Sequence, residues 1–378
     1  MTWYVPVLSG HRAEITALSA AREAVAVRMR PVLEFAPGSS EPPEAAVRRL
    51  VEQRIWAPSV GLDCRAYYAA ERATDLLPAL AESLAAGPFP LPVLPVLWPD
   101  SPDRLVAEAA AVAAGTGAGV YFRVPVVTSL TDWGACQRLL ERARLGTDQV
   151  DLLLDLGEVA KDAVLATAVD RAVAAVLAGT GADALGRGDV GGGGFVGRGD
   201  VGGGFVGGGG GFAGGWRSVT LLAGGWPSRR RLPLPPAVTV LPRNDAALWT
   251  KVHAAVPSIP LGFGDFGVRA RSAIGSGGRG SPAPYLRYTV EDAWELRRWP
   301  KTSERGVETI QPLCQDLIRS TSYLRHGPAF SWGDAEISRA GERGVSAADR
   351  RSPTAWVAWS VSHHLAVVTE RLRSAGTP

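Results

Sequence analysis

Five charged residues stand at the ends of apolar runs: Glu34, Asp63, Arg123, Asp155 and Asp265. Carboxylates gathered with an arginine can bind a divalent metal and a phosphate, or serve as a general acid and base. His11, Arg12 and Glu14 follow the first run and join the set. Each member alone also reads as a helix cap, because Asp is a favoured N-cap residue and strand-to-helix loops need one. The group reads as functional, because eight caps need not all be charged.

A second set lies toward the C-terminus: Arg243, Arg287, Tyr288, Ser331, Trp332, Asp334, His363 and His364. Its arginines would neutralise an anionic ligand, and a histidine would move a proton. The SWGD stretch at 331–334 reads as a recognition loop or as a tryptophan anchoring a tight turn. His363 and His364 are adjacent on an expected helix, so their side chains diverge by roughly 100° and do not suit one shared metal. At least one of them reads as a buried, hydrogen-bonded histidine.

Positioning these groups requires strands. Eight short apolar runs, at 3–8, 30–34, 59–63, 93–98, 120–123, 150–155, 218–225 and 259–265, nearly all end in a polar residue or a glycine turn. Helix-like stretches separate most of them, at 12–28, 43–54, 66–86, 103–115, 131–144 and 159–177. Strands and helices alternating at this length imply right-handed crossovers and a parallel sheet. Polar strand ends on such a sheet are what a barrel with one functional rim produces. An open doubly wound sheet is the alternative, but no GxGxxG turn follows an early strand.

The expectation is an α/β protein with a (β/α)8, TIM-barrel-like parallel barrel over 1–270. Residues 271–378 form a C-terminal α+β extension that caps the rim, with a short strand at 285–290, a helical turn at 291–298, and helices at 307–319 and 354–373. Residues 186–215 interrupt the barrel, and 18 of these 30 are glycine, in a direct repeat of GRGDVGGGGFV and GRGDVGGGFV. Such a segment buries too little apolar surface to offset its ordering entropy, and reads as a disordered expansion loop.

Charge is unevenly spread. Residues 1–216 carry 18 Lys/Arg against 24 Asp/Glu, a net of −6, and residues 217–378 carry 22 against 13, a net of +9. The basic half suits an anionic ligand or nucleic acid, or is simply a basic surface. Three widely spaced cysteines make neither a metal motif nor a disulfide scaffold. The apolar stretch 84–98 is broken by four prolines, so no membrane span is expected there, and a cytoplasmic location is the default. GxSxG, Walker and kinase motifs are missing, which disfavours serine acyl transfer and NTP hydrolysis.

An ordered series of short motifs resembles the beta protein family of phages and bacteria. The pieces are YVPVL with AEITAL, PVLEF, GLD, LLLDLG, LPRNDAALW, GFGDFGV, YLRYTVEDAW, FSWGD and WSVSHHL. Asp245, the Arg298–Trp299 pair and the His11–Arg12 pair depart from the usual pattern. The resemblance implies a barrel-like fold and a shared pattern of Glu34, Asp63, Asp155, Arg243, Asp265, Arg287, Tyr288, Trp332, Asp334, His363 and His364. It transfers no activity, and its phage association points to phage–host conflict by association alone.

The functional expectation is a hydrolase, phosphoesterase-like, acting on a nucleotide or nucleic acid at the rim. Glu34, Asp63, Asp155, Asp265, His363 and His364 would carry catalysis, with Mg or Mn as the candidate metal. Arg12, Arg123, Arg243, Arg287, Tyr288, Trp332 and Asp334 would hold substrate. The alternative is a non-enzymatic binding or sensor protein using the same rim.

Overall fold

A computed structural model describes residues 2–37, 42–126, 131–181, 215–226, 238–269, 285–298, 310–344 and 353–378. Nearly all of the glycine-rich insertion and the 271–284 loop lie outside the described residues.

Eight strands close into a parallel barrel: β1 (Tyr4–Leu8), β2 (Val32–Glu34), β3 (Val60–Asp63), β4 (Val93–Leu97), β5 (Val120–Pro125), β6 (Val150–Glu158), β7 (Ser218–Gly224) and, after an excursion, β9 (Leu261–Asp265). The excursion is β8 (Val238–Pro242), which pairs in a separate antiparallel sheet of order β10-β11-β8 with β10 (Tyr285–Thr289) and β11 (Ala293–Arg298). The chain therefore has the (β/α)8 fold that its alternating pattern implies. The expected helical turn at 291–298 is wrong. Alternation in Trp294, Leu296 and their neighbours suits a strand, and β11 pairs on both sides, with β10 and β8.

Helices α1 (Arg12–Ser19) and α2 (Glu23–Ala26) replace the single helix expected at 12–28. Around the barrel follow α3 (Pro43–Glu52), α4 (Arg65–Ala69), α5 (Leu76–Ala85), α6 (Asp103–Thr116), α7 (Trp133–Ala143), α8 (Asp162–Thr180) and α9 (Asn244–Ala255). Helix α8 is long and apolar enough to cross a membrane. In this fold it is the crossover from β6 to β7, packed on α9. The extension adds α10 (Ile310–Ile318), α11 (Thr321–Leu324), α12 (Trp332–Arg343) and α13 (Pro353–Ser374).

The two-residue alternation of each strand separates two layers. Val5, Val7, Val32, Leu94, Val96, Tyr121, Leu153 and Leu222 cluster inside the barrel with Trp98 and Phe266. Tyr4, Leu8, Leu33, Leu62, Phe122, Leu152, Leu154, Leu221 and Phe263 pack outward under the helices. Counting by twos along each strand aims Glu34, Asp63, Arg123 and Asp155 inward. Asp265 shares its parity with Leu261 and Phe263, and faces outward.

Helix α13 packs along α1, α12 and β10, and so ties the extension to the barrel. Gly333 makes the α12–α13 approach possible, because a Cβ there would lie 2.1 Å from the Trp359 carbonyl oxygen. The SWGD stretch is a helix start rather than a recognition loop: the Ser331 hydroxyl accepts from the Asp334 amide at 3.1 Å and caps α12.

The chain on either side of the glycine-rich insertion is pinned by one bond, Trp216 Nε1–H donating to the Gly179 carbonyl at 2.7 Å. Because its flanks already meet, deleting 186–212 should leave the barrel folded and stabilise it by about 1 kcal/mol through the shorter loop. Urea unfolding checks this, and loss of the single cooperative transition would contradict it.

Candidate functional site

The C-terminal mouth of the barrel is organised around one buried cation. Arg123, from β5, is fully buried and meets a carboxylate from each of three other strands. Its Nη1 donates to Glu34 Oε2 at 2.6 Å and lies 3.3 Å from Asp63 Oδ2. Its Nε donates to Asp155 Oδ2 at 2.9 Å. The guanidinium lies 4.5 Å from the Trp98 ring centre and 5.4 Å from that of Phe266. Three carboxylates around one guanidinium leave the mouth acidic.

Asp63 is perturbed by its surroundings. Trp98 Nε1–H donates to its Oδ2 at 2.9 Å, and the Arg65 amide to its Oδ1 at 3.3 Å. Burial first, then the charge of Glu34, push its carboxyl up to about 6, against the pull of Arg123 and the two donors. Glu34 differs in access: its side chain is 25% exposed, against 4% for Asp63 and 0% for Asp155. Asp155 is held further by the Gly157 amide at 2.9 Å. Beside these groups, Glu14 accepts from the Ser9 amide and hydroxyl and pairs with Arg269 at 3.1 Å.

The other expected residues form a separate buried network under the extension. Asp265 accepts from Tyr4 Oη at 2.9 Å, from the Gly267 amide at 2.9 Å and from His364 Nε2 at 2.9 Å. Burial would raise its carboxyl, but His364, Arg243 and the Gly267 amide outweigh this and hold it below the usual range. His364 Nδ1 meets the Thr289 hydroxyl at 2.9 Å. Its neighbour His363 has Nδ1 at 2.9 Å from Asp334 Oδ2 and Nε2 at 2.8 Å from the Thr289 carbonyl. Both ring nitrogens of His363 therefore face oxygen atoms, one from a carboxylate and one from a backbone carbonyl. Asp334 also accepts from Tyr288 Oη at 3.0 Å and from the Ser331 hydroxyl at 2.7 Å. Here too burial would raise the carboxyl, and His363 with the two hydroxyls brings it below its ordinary value.

The sequence-derived set thus divides. Glu34, Asp63, Arg123 and Asp155 come together in the mouth. Asp265, His363, His364, Tyr288 and Asp334 meet in the second network, with Arg243 and Arg287 buried nearby. Trp332 is half-buried on α12 against the core of the extension, and Arg12 is exposed at the start of α1. Trp98, Ser9 and Arg269 were missed at the mouth, as were Tyr4 and Thr289 in the network. Trp98 had a legible signal, an aromatic residue closing the fourth apolar run.

Among the described residues no three His, Cys, Asp or Glu side chains form a metal-holding group. The mouth carboxylates point at a guanidinium where a shared cation would stand. Cavities of about 210 and 290 Å³ lie elsewhere, one beside Tyr4 and Arg373 and one at the N-terminal strand ends beside Trp3 and Arg217. The mouth is singled out by its titratable groups and not by volume.

The family model described as Beta protein matches residues 4–182 and 212–370, so the chain belongs to the Beta protein family. No curated protein matches the chain.

A carboxyl whose pKa is raised on folding contributes stability that is full below its unfolded value and is lost as pH rises through its folded value. For Asp63 that window runs from 3.8 to about 6. Asp63→Asn should therefore melt closer to wild type at pH 4 and gain on it by pH 7, and thermal melts across that range read the difference. Asp334 behaves oppositely, its contribution present at neutral pH and lost in acid. Asp334→Asn removes a buried carboxylate bonded to His363, Tyr288 and Ser331 and should cost about 3 kcal/mol at pH 7, measured by urea unfolding.

Proposed function

Taking the chain as a member of the Beta protein family, we propose that it is a hydrolase working by carboxylate acid–base chemistry at the C-terminal mouth of its barrel. The observation that carries this reading is the split between Asp63 and Glu34. They are register partners on neighbouring strands and share Arg123, yet burial raises the Asp63 carboxyl to about 6 while Glu34 reaches solvent. A carboxyl raised by burial beside one that solvent reaches can supply an acid and a base. Asp63 would protonate a leaving group, and Glu34 would take a proton from water. Arg123 and Asp155 would hold the pair in position.

The acidic ring limits the substrate. A nucleotide or another anion fits if its charged group stays outside the carboxylates, on Arg65 and Arg269 beside the mouth. Arg65 stacks over Trp98 at 4.7 Å, and both arginine side chains retain exposure, 35% and 19%.

A second reading is a binder or sensor without turnover. The pairing of the mouth carboxylates favours it, because each is already engaged by the Arg123 guanidinium. Screening the purified chain against phosphoester and glycoside chromogens separates the two. The hydrolase reading expects turnover that falls at least about a hundredfold in Glu34→Gln and in Asp63→Asn, with an alkaline limb near pH 6 lost in Asp63→Asn. Turnover unaffected by either change would overturn the assignment. Saturable binding of such compounds without turnover would establish the second reading.

A further inference from the structure

A cavity of about 210 Å³ lies where the C-terminal part of α13 meets the start of β1 and the link from α2 to β2. It is lined by Thr2, Tyr4, Arg28, Thr369, Leu372 and Arg373. One water needs about 10–15 Å³ of such space, so the cavity has room for a group of several heavy atoms. Tyr4 lends only its ring, because its hydroxyl donates to Asp265 at 2.9 Å. With Leu372 it makes the apolar wall.

The remaining walls are basic and rich in donors. The Arg28 backbone is anchored, its carbonyl accepting from the Tyr4 amide at 3.4 Å. Its half-buried guanidinium makes no hydrogen bond or ion pair among the described residues, although Glu370 lies near enough to feel its charge. Arg373 Nε donates to Glu370 Oε2 at 2.9 Å, and its side chain stays 51% exposed, so an anion in the cavity can share it. Two arginines against one glutamate leave the place positively charged. Thr369 is 3% exposed, and its buried hydroxyl has no hydrogen-bond partner among the described residues. Native interiors leave few such groups unpaired. Two guanidiniums and two threonine hydroxyls offer more donors than the two oxygens of a carboxylate accept. They suit the three or four oxygens of a phosphate.

We propose that this cavity binds a phosphate group, free or carried on a small body, through Arg28, Arg373, Thr2 and Thr369. A phosphate there ties α13 to β1 and to the approach to β2, and so braces the extension against the barrel. The site places no negative charge against Glu34, Asp63 and Asp155, and it does not depend on the mouth being catalytic.

Calorimetric titration of the full chain at pH 7 tests it, with inorganic phosphate and with phenylphosphonate, which carries an equivalent group on an apolar ring. At least one should bind at a single saturable site. Tighter binding of the first marks a free-ion site, and of the second a site for a substituted phosphate. Arg28→Gln should weaken binding about tenfold or more, since it removes a charged donor. Thr369→Val should weaken it several-fold. That change deletes a hydroxyl with no partner, so without ligand the variant should melt no lower than wild type. Glu34→Gln, in the mouth, should bind as wild type does. No saturable binding of either compound, or undiminished affinity in Arg28→Gln or Thr369→Val, would overturn the proposal. Loss in Glu34→Gln would move the anion to the mouth and overturn it equally.

Discussion

A buried guanidinium is the constraint around which the barrel interior is arranged. Arg123 gives up its hydration inside a closed ring of strands, and no single carboxylate can satisfy a five-donor fork. Acceptors arrive from β2, β3 and β6, and the Trp98 and Phe266 rings stand near the guanidinium. This one residue links half of the barrel strands at their C-terminal ends. It also gathers the carboxylates, and burial with the charge of Glu34 raises the Asp63 carboxyl against the pull of Arg123.

The second network performs a different task. Thr289 offers its hydroxyl to His364 and its carbonyl to His363, so one residue of β10 engages two consecutive residues of α13. His364 then reaches Asp265 on the barrel, and His363 reaches Asp334 on α12. Small sheet, long helix, short helix and barrel are fastened through buried polar groups of fixed geometry. Charged hydrogen bonds suit this purpose, since any displacement leaves a buried ion unpaired. The two histidines thus join β10, α12 and the barrel to α13. At the mouth, by contrast, Glu34 reaches solvent.

Much of the architecture was legible in the chain. Apolar runs of strand length, spaced by helix-length segments, are local signals, and all eight barrel strands correspond to them. The errors also have local causes. The stretch around Trp294 and Glu295 lacks a long apolar run, and its short alternation becomes a strand between β8 and β10. SWGD carries turn-forming residues, but Ser331 uses them to begin a helix. Asp265 looked equivalent to Glu34 and Asp63 as a charged residue closing an apolar run. Its parity in β9 turns it to the other side of the sheet.

The sequence by itself determined the (β/α)8 alternation, the positions of the charged strand ends and the family pattern. These depend on periodicity and residue type, which act over a few residues. Only the tertiary structure decided which charges share a site. Arg123 and Glu34 are 89 positions apart, and His364 and Asp265 are 99 apart. Barrel closure sets the first pairing and the docking of α13 sets the second. Both are long-range packing events, and a single chain read in order carries no local signal for them.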